Sequence, residues 1–121
     1  MKKIYLASPY SHPDKSVREN RFRAACKAAS LLMVQGYLVF SPIAHSHTIA
    51  QYLDNHLDLD FWLEIDLSFL DSWADEMWIL CIPGWWESKG IRREIEHAKK
   101  HGIHVSEYHR ATYEQENDPY P

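Results

Sequence analysis

The chain alternates short unbroken apolar runs with stretches in which apolar residues return at helical spacing. Lys3–Ala7 is one such run, stopped by Ser8-Pro9-Tyr10, and it predicts a buried strand. Residues 14–35 predict a helix with a small-residue face of Ala25, Ala28, Ala29 and Leu32, closed by Gly36. Residues 37–40 predict a second strand stopped by Ser41-Pro42, and residues 45–53 a short helix. Residues 58–73 bring Trp62, Ile65, Phe69 and Trp73 round at helical spacing. Residues 76–82 predict a third strand, whose continuous apolar run implies burial on both faces. Pro83-Gly84-Trp85-Trp86 reads as a loop. Residues 88–101 carry a stripe of Ile91, Ile95 and Ala98 and end at Gly102, and residues 103–105 give a fourth strand.

Strands alternating with helices imply an α/β fold, with a parallel sheet of four or five strands and helices on both faces. Residues 1–110 are expected to form one domain. Residues 111–121 are polar, end in Pro119-Tyr120-Pro121, and are expected to be a tail or an arm onto a neighbour. Open parallel sheets bind ligands beyond the carboxyl ends of their strands. Those ends carry Ser8-Pro9-Tyr10, Ser41-Pro42-Ile43 and Pro83-Gly84-Trp85-Trp86-Glu87-Ser88. Hydroxyls, aromatics and turn residues of this kind suit a flat ring on a polar handle.

Two acids interrupt the apolar stripes. Asp66 lies four residues after Trp62, and Glu94 three residues after Ile91. A carboxylate facing a core is unfavourable unless it is paired or serves chemistry. Two of them point to a carboxylate-based active site. The run Ser88-Lys89-Gly90-Ile91-Arg92-Arg93-Glu94 adds a capping serine, a glycine that admits a ligand to the backbone, and free amides that hold an anion. Its three cations are expected to keep Glu94 ionised. The same run also describes an ordinary capped helix whose Glu pairs with an Arg. Tyr5 sits mid-strand, where a buried hydroxyl needs a partner that an active-site carboxylate would supply.

Composition removes several function classes. The 121 residues suit one domain, and a 45% hydrophobic content supports a core. A net charge of −4 gives no reason to expect long nucleic acid as a partner. Cys26 and Cys81 lie in apolar surroundings and read as buried free thiols. No leader-like run or membrane span is evident, so a cytoplasmic location is expected. His45-x-His47, with His56 nearby, invites a metal reading, but residues two apart do not share a helix face, so no metal is assigned. Trp85-Trp86 suits either a lid over a base or packing in a core or subunit interface.

Three blocks resemble the nucleoside 2-deoxyribosyltransferase superfamily, which includes deoxynucleoside 5′-monophosphate N-glycosidases. They are Ile4-Tyr5-Leu6-Ala7-Ser8-Pro9-Tyr10, Asp66-Leu67-Ser68-Phe69-Leu70 with Ala74-Asp75, and Ser88-x-Gly90-x-x-x-Glu94 with Ala98 and Gly102. The resemblance spans residues 4–105 and implies a flavodoxin-like three-layer sandwich with chemistry at an N-glycosidic bond. By position it implies Glu94 as nucleophile, Asp66 as supporting acid, Tyr5 as the residue orienting the nucleophile, and Ser88 as a phosphate contact. Ser8, Pro9, Tyr10, Gly90, His45 and Trp86 are expected to contact the substrate. The chain departs from the pattern in three places. One extra residue separates Asp66 from Ala74-Asp75. Glu87-Ser88-Lys89-Gly90 is looser than the transferases' Asp-Ser-Gly run. Ser11-His12 stands where the hydrolases carry a phosphate-binding arginine.

The expected activity is cleavage or transfer of the base of a nucleoside or nucleoside 5′-monophosphate. One carboxylate meets an oxocarbenium-like centre at C1′ and the other assists the base or a hydroxyl. That chemistry needs no metal or organic cofactor. A homo-oligomer is expected from the aromatic load and the small-residue helix face. Two rivals remain: a non-catalytic nucleotide-binding protein on the same fold, and a metal-dependent hydrolase built on His45 and His47.

Overall fold

A computed structural model describes residues 1–54 and 57–109. His56 and the expected tail at 111–121 lie outside the described residues. Four strands form one parallel sheet: β1 (Lys3–Ala7), β2 (Leu38–Phe40), β3 (Glu76–Leu80) and β4 (His104–Tyr108), in the order β2-β1-β3-β4. This is the flavodoxin-like winding, in which the connection changes direction between β1 and β3. Register is set by pairs such as Tyr5 with Phe40 on one side and Tyr5 with Met77 on the other.

Helix α1 (Lys15–Val34) starts where Asp14 accepts a hydrogen bond from the Ser16 amide, 2.8 Å away. Its Ala25, Ala28, Ala29 and Leu32 are buried, the last three against Leu6 and Leu80 on one face of the sheet. Helices α3 (Leu59–Trp73) and α4 (Lys89–Lys100) cover the other face, where Leu70, Ile91 and Ala98 pack on Tyr5, Ala7, Met77 and Ile79. The sheet is therefore the middle of three layers. Alternate β1 residues serve the two cores, as period-two geometry requires.

Helix α2 (Pro42–Ala50) begins three residues earlier than its apolar spacing suggests. Ser41 caps it by accepting from the Ala44 amide, and Pro42 occupies the first turn, where its missing N–H does no harm. The expected loop after β3 contains a short 3-10 turn, Trp85–Glu87, entered through Gly84 at φ 94°. The apolar stripe of α3 is also rotated from expectation. Leu63, Asp66 and Leu70 are buried, while Phe69 is exposed and stacks sideways on Phe40. Cys26 and Cys81 are free thiols, each half-buried, and burial pushes both pKa values up. No helix among the described residues is long and apolar enough to cross a membrane.

Candidate active site

The carboxyl ends of the strands open into a cavity of about 930 Å³. Its walls come from the loop after β1, the starts of α1, α3 and α4, and helix α2. Both stripe acids face it. Asp66 projects from the buried face of α3 and Glu94 from that of α4. Ser88 caps α4 by accepting from the Ile91 amide at 3.1 Å, which leaves its hydroxyl hydrogen free for a ligand. Gly90 lines the cavity with ordinary helical backbone, and a Cβ there would meet nothing closer than 3.7 Å. Its value is open space, not conformational freedom.

Tyr5 does not line the cavity. It is fully buried in the core behind it, and its hydroxyl donates a hydrogen bond to Glu94 Oε2. This contact joins the central strand to α4 and fixes one carboxylate oxygen. Burial and the two acids nearby raise the Tyr5 pKa well above its usual value, so the phenol stays a donor.

The expected cations do not govern Glu94. Arg93 points away to Asp60, at 3.1 Å. Burial pushes the Glu94 pKa up to about 8, with the Tyr5 hydrogen bond working against the shift and the charge of Asp66 adding to it. Burial likewise pushes Asp66 up to about 7. Burial thus favours the protonated form of both carboxyls, and the charge of Asp66 adds to the effect on Glu94. Asp66 Oδ1 is buried without a hydrogen-bond partner in the structure, and so are Ser8 Oγ and Ser46 Oγ. All three belong to residues lining the cavity.

The remaining expected contacts divide. Ser8 and Tyr10 line the cavity. Pro9, His45 and Trp86 are not among the residues lining it. His45 packs against Phe40 and Phe69. Trp86 is 58% exposed and meets Trp85 edge-on. His47 takes the cavity position instead. Its Nδ1 lies 2.7 Å from the Tyr10 hydroxyl, its Nε2 lies 3.3 Å from Glu19, and its ring stacks on Phe22. Both ring nitrogens are thereby engaged.

Two arginines in the cavity wall escaped the sequence reading. Arg18 and Arg21, one turn apart on α1, face the cavity. Arg18 Nη1 donates to the Pro13 carbonyl at 3.1 Å, and Arg21 Nη1 to that of Ser11 at 3.0 Å. A side chain at Gly84 would collide with the Arg21 guanidinium. The glycine therefore lets Arg21 cross from α1 to the loop after β3.

The fold and site together define a flavodoxin-like α/β protein with two buried acids on one cavity at the carboxyl edge of its sheet. A family model described as a domain of unknown function (DUF1937) matches residues 2–110, and the chain belongs to that family. The structure is similar to that of a 2-deoxyribosyltransferase from the psychrotolerant bacterium Bacillus psychrosaccharolyticus. The two share 23% identity and a TM-score of 0.63, over 91% of this chain and 74% of the other. At that identity the likeness establishes the fold. No curated protein matches the sequence.

Proposed function

We propose that this protein cleaves or transfers the N-glycosidic bond of a nucleoside or nucleoside 5′-monophosphate. The observation that carries this reading is the pair of buried acids on one cavity, with Tyr5 holding one of them from behind. The productive state has Glu94 ionised and Asp66 protonated, the less populated placing of the proton, since burial makes Glu94 hold it more tightly than Asp66. Tyr5 favours the ionised form of Glu94 by donating to it. Glu94 attacks C1′ as the base departs with the bonding electron pair, and Asp66 gives the base a proton. The resulting glycosyl-enzyme is released by water, or by a second base in the transfer variant. The 2-deoxyribosyltransferase with the similar fold supports a small nucleoside as partner. Residues 1–110 would then be one catalytic domain working in the cytoplasm.

Incubation with a panel of nucleosides and 5′-monophosphates, followed by chromatography, tests this directly. Free base should appear with at least one member. Binding of a nucleotide without release of base from any member would favour the non-catalytic reading.

Arg18 and Arg21 suit an anionic handle, because guanidinium groups at a cavity wall make charge-assisted hydrogen bonds to phosphate. We therefore expect Arg18→Ala to raise KM for a 5′-monophosphate by roughly tenfold, the loss of one such bond. The corresponding nucleoside should be affected far less. Equal effects on both would remove the phosphate role.

We also propose a homo-oligomer. Met33, Val34, Leu38, Ile49 and Tyr52 are large apolar side chains left exposed on the described residues. Light scattering should give a mass of at least two chains at micromolar concentration, and a monomer would refute the assembly.

A further inference from the structure

We propose that Asp71, His97 and His101 form a binding site for a divalent transition-metal ion, with zinc the best match. Asp71 lies on α3, His97 on α4 and His101 at the C-cap of α4, the helices that also carry Asp66 and Glu94, and none of the three lines the cavity. His97 and His101 are four residues apart and share one helix face, with ring centroids 4.3 Å apart. Asp71 reaches across from α3, its Oδ2 2.8 Å from His97 Nε2. One donor atom from each residue lies within 4.8 Å of the other two. A tetrahedral zinc ion with bonds of about 2.0–2.1 Å holds its ligand atoms roughly 3.4 Å apart. Side-chain rotation alone can close that difference.

The surroundings favour a metal in two further ways. His101 Nδ1 lies 2.9 Å from the His97 carbonyl oxygen. The N–H on that nitrogen donates to the carbonyl, which leaves the lone pair on Nε2, as in metal sites whose histidines are oriented by a backbone acceptor. The site also sits on the last turn of α4, where the helix dipole favours positive charge. Two imidazoles and one carboxylate are a borderline donor set that suits zinc over calcium or magnesium. Asp71 and His101 are exposed, so the fourth position opens to solvent and would hold water. On binding, the ion takes the place of the hydrogen between His97 Nε2 and Asp71, and neutral His97 carries its ring proton on Nδ1. The ion then bridges α3 and α4 one turn beyond Glu94, as a staple between the two helices that carry the acids.

The test uses the full chain without a histidine tag, stripped with a chelator. Zinc titration by calorimetry should give one ion per chain. Saturating zinc should raise Tm by at least about 4 °C, as expected for a ligand that binds only the folded state. Cobalt should give the visible absorption of a tetrahedral nitrogen and oxygen site. Asp71→Asn and His101→Ala should each weaken zinc affinity at least about tenfold and abolish the Tm rise. His101 is exposed, so its removal leaves the core intact. Absence of stoichiometric binding to the wild type would overturn the proposal, as would unchanged affinity in His101→Ala. A thiolate-to-cobalt band would place the ion instead at Cys81, Glu107 and His109, the other donor cluster among the described residues, and would also overturn it.

Discussion

Glu94→Gln is expected to lower kcat by at least about a thousandfold, roughly 4 kcal/mol of transition-state stabilisation. The amide keeps the shape of the side chain and can still accept the Tyr5 hydrogen bond, but it cannot supply the charge that meets C1′. Substrate affinity should change far less, because Ser8, Tyr10, Ser88 and the two arginines remain in the cavity wall. Asp66→Asn should also slow turnover, with the largest losses on substrates whose bases leave poorly without a proton. Single-turnover kinetics with each variant separates these effects from binding. A Glu94→Gln protein that releases base at nearly the wild-type rate would exclude Glu94 as nucleophile.

The same substitutions are expected to stabilise the fold. Asp66 and Glu94 have folded pKa values of about 7 and about 8, above those of the unfolded chain. Between about pH 4 and pH 8 the native state therefore keeps protons that the unfolded state has released. The two groups favour folding most at the acidic end of that window. Their contribution is lost as pH rises through it, and above about pH 8 both charges are buried. Asn and Gln cannot ionise. At pH 8.5, Glu94→Gln should gain on the order of 2–4 kcal/mol over the wild type, and Asp66→Asn a comparable amount. The gain should shrink towards pH 4. Denaturant titrations at the two pH values measure it. A Glu94→Gln protein less stable than wild type at pH 8.5 would show that the buried carboxylate is better compensated than its surroundings indicate. Stability gained where activity is lost is the usual signature of strained catalytic groups.

The sequence made the scaffold legible where period and punctuation agreed. The face of α1 was readable because Ala25, Ala28, Ala29 and Leu32 are small or apolar at unbroken helical spacing. Asp66 and Glu94 stood out because each broke such a stripe. The α3 stripe misled because large aromatics dominate the pattern by size. Phe69 satisfies itself by stacking on Phe40 at 4.3 Å, at the flank, while the smaller Leu70 packs on the sheet and Leu63 lines the cavity. His45 and His47 could not be told apart until the capped start of α2 fixed which face each occupies. Two residues turn a helix by roughly 200°, which sends one to the aromatic cluster and the other to the cavity. Arg18 and Arg21 carried a usable signal. A helix following a parallel strand begins at the carboxyl edge, so its first turns face the ligand site. Glu94's high pKa was not legible, since the neighbouring arginines in sequence are not its neighbours in space.

The central claim is that Glu94 forms a covalent bond to C1′. A 2′-fluorinated nucleoside slows both formation and breakdown of a glycosyl-enzyme, because fluorine disfavours the oxocarbenium-like centre in each step. A member of that series matching the active substrate, incubated with the protein and followed by peptide mass spectrometry, should leave one glycosyl group on Glu94. Release of base with no adduct on Glu94, or with the sugar on another residue, would contradict the account.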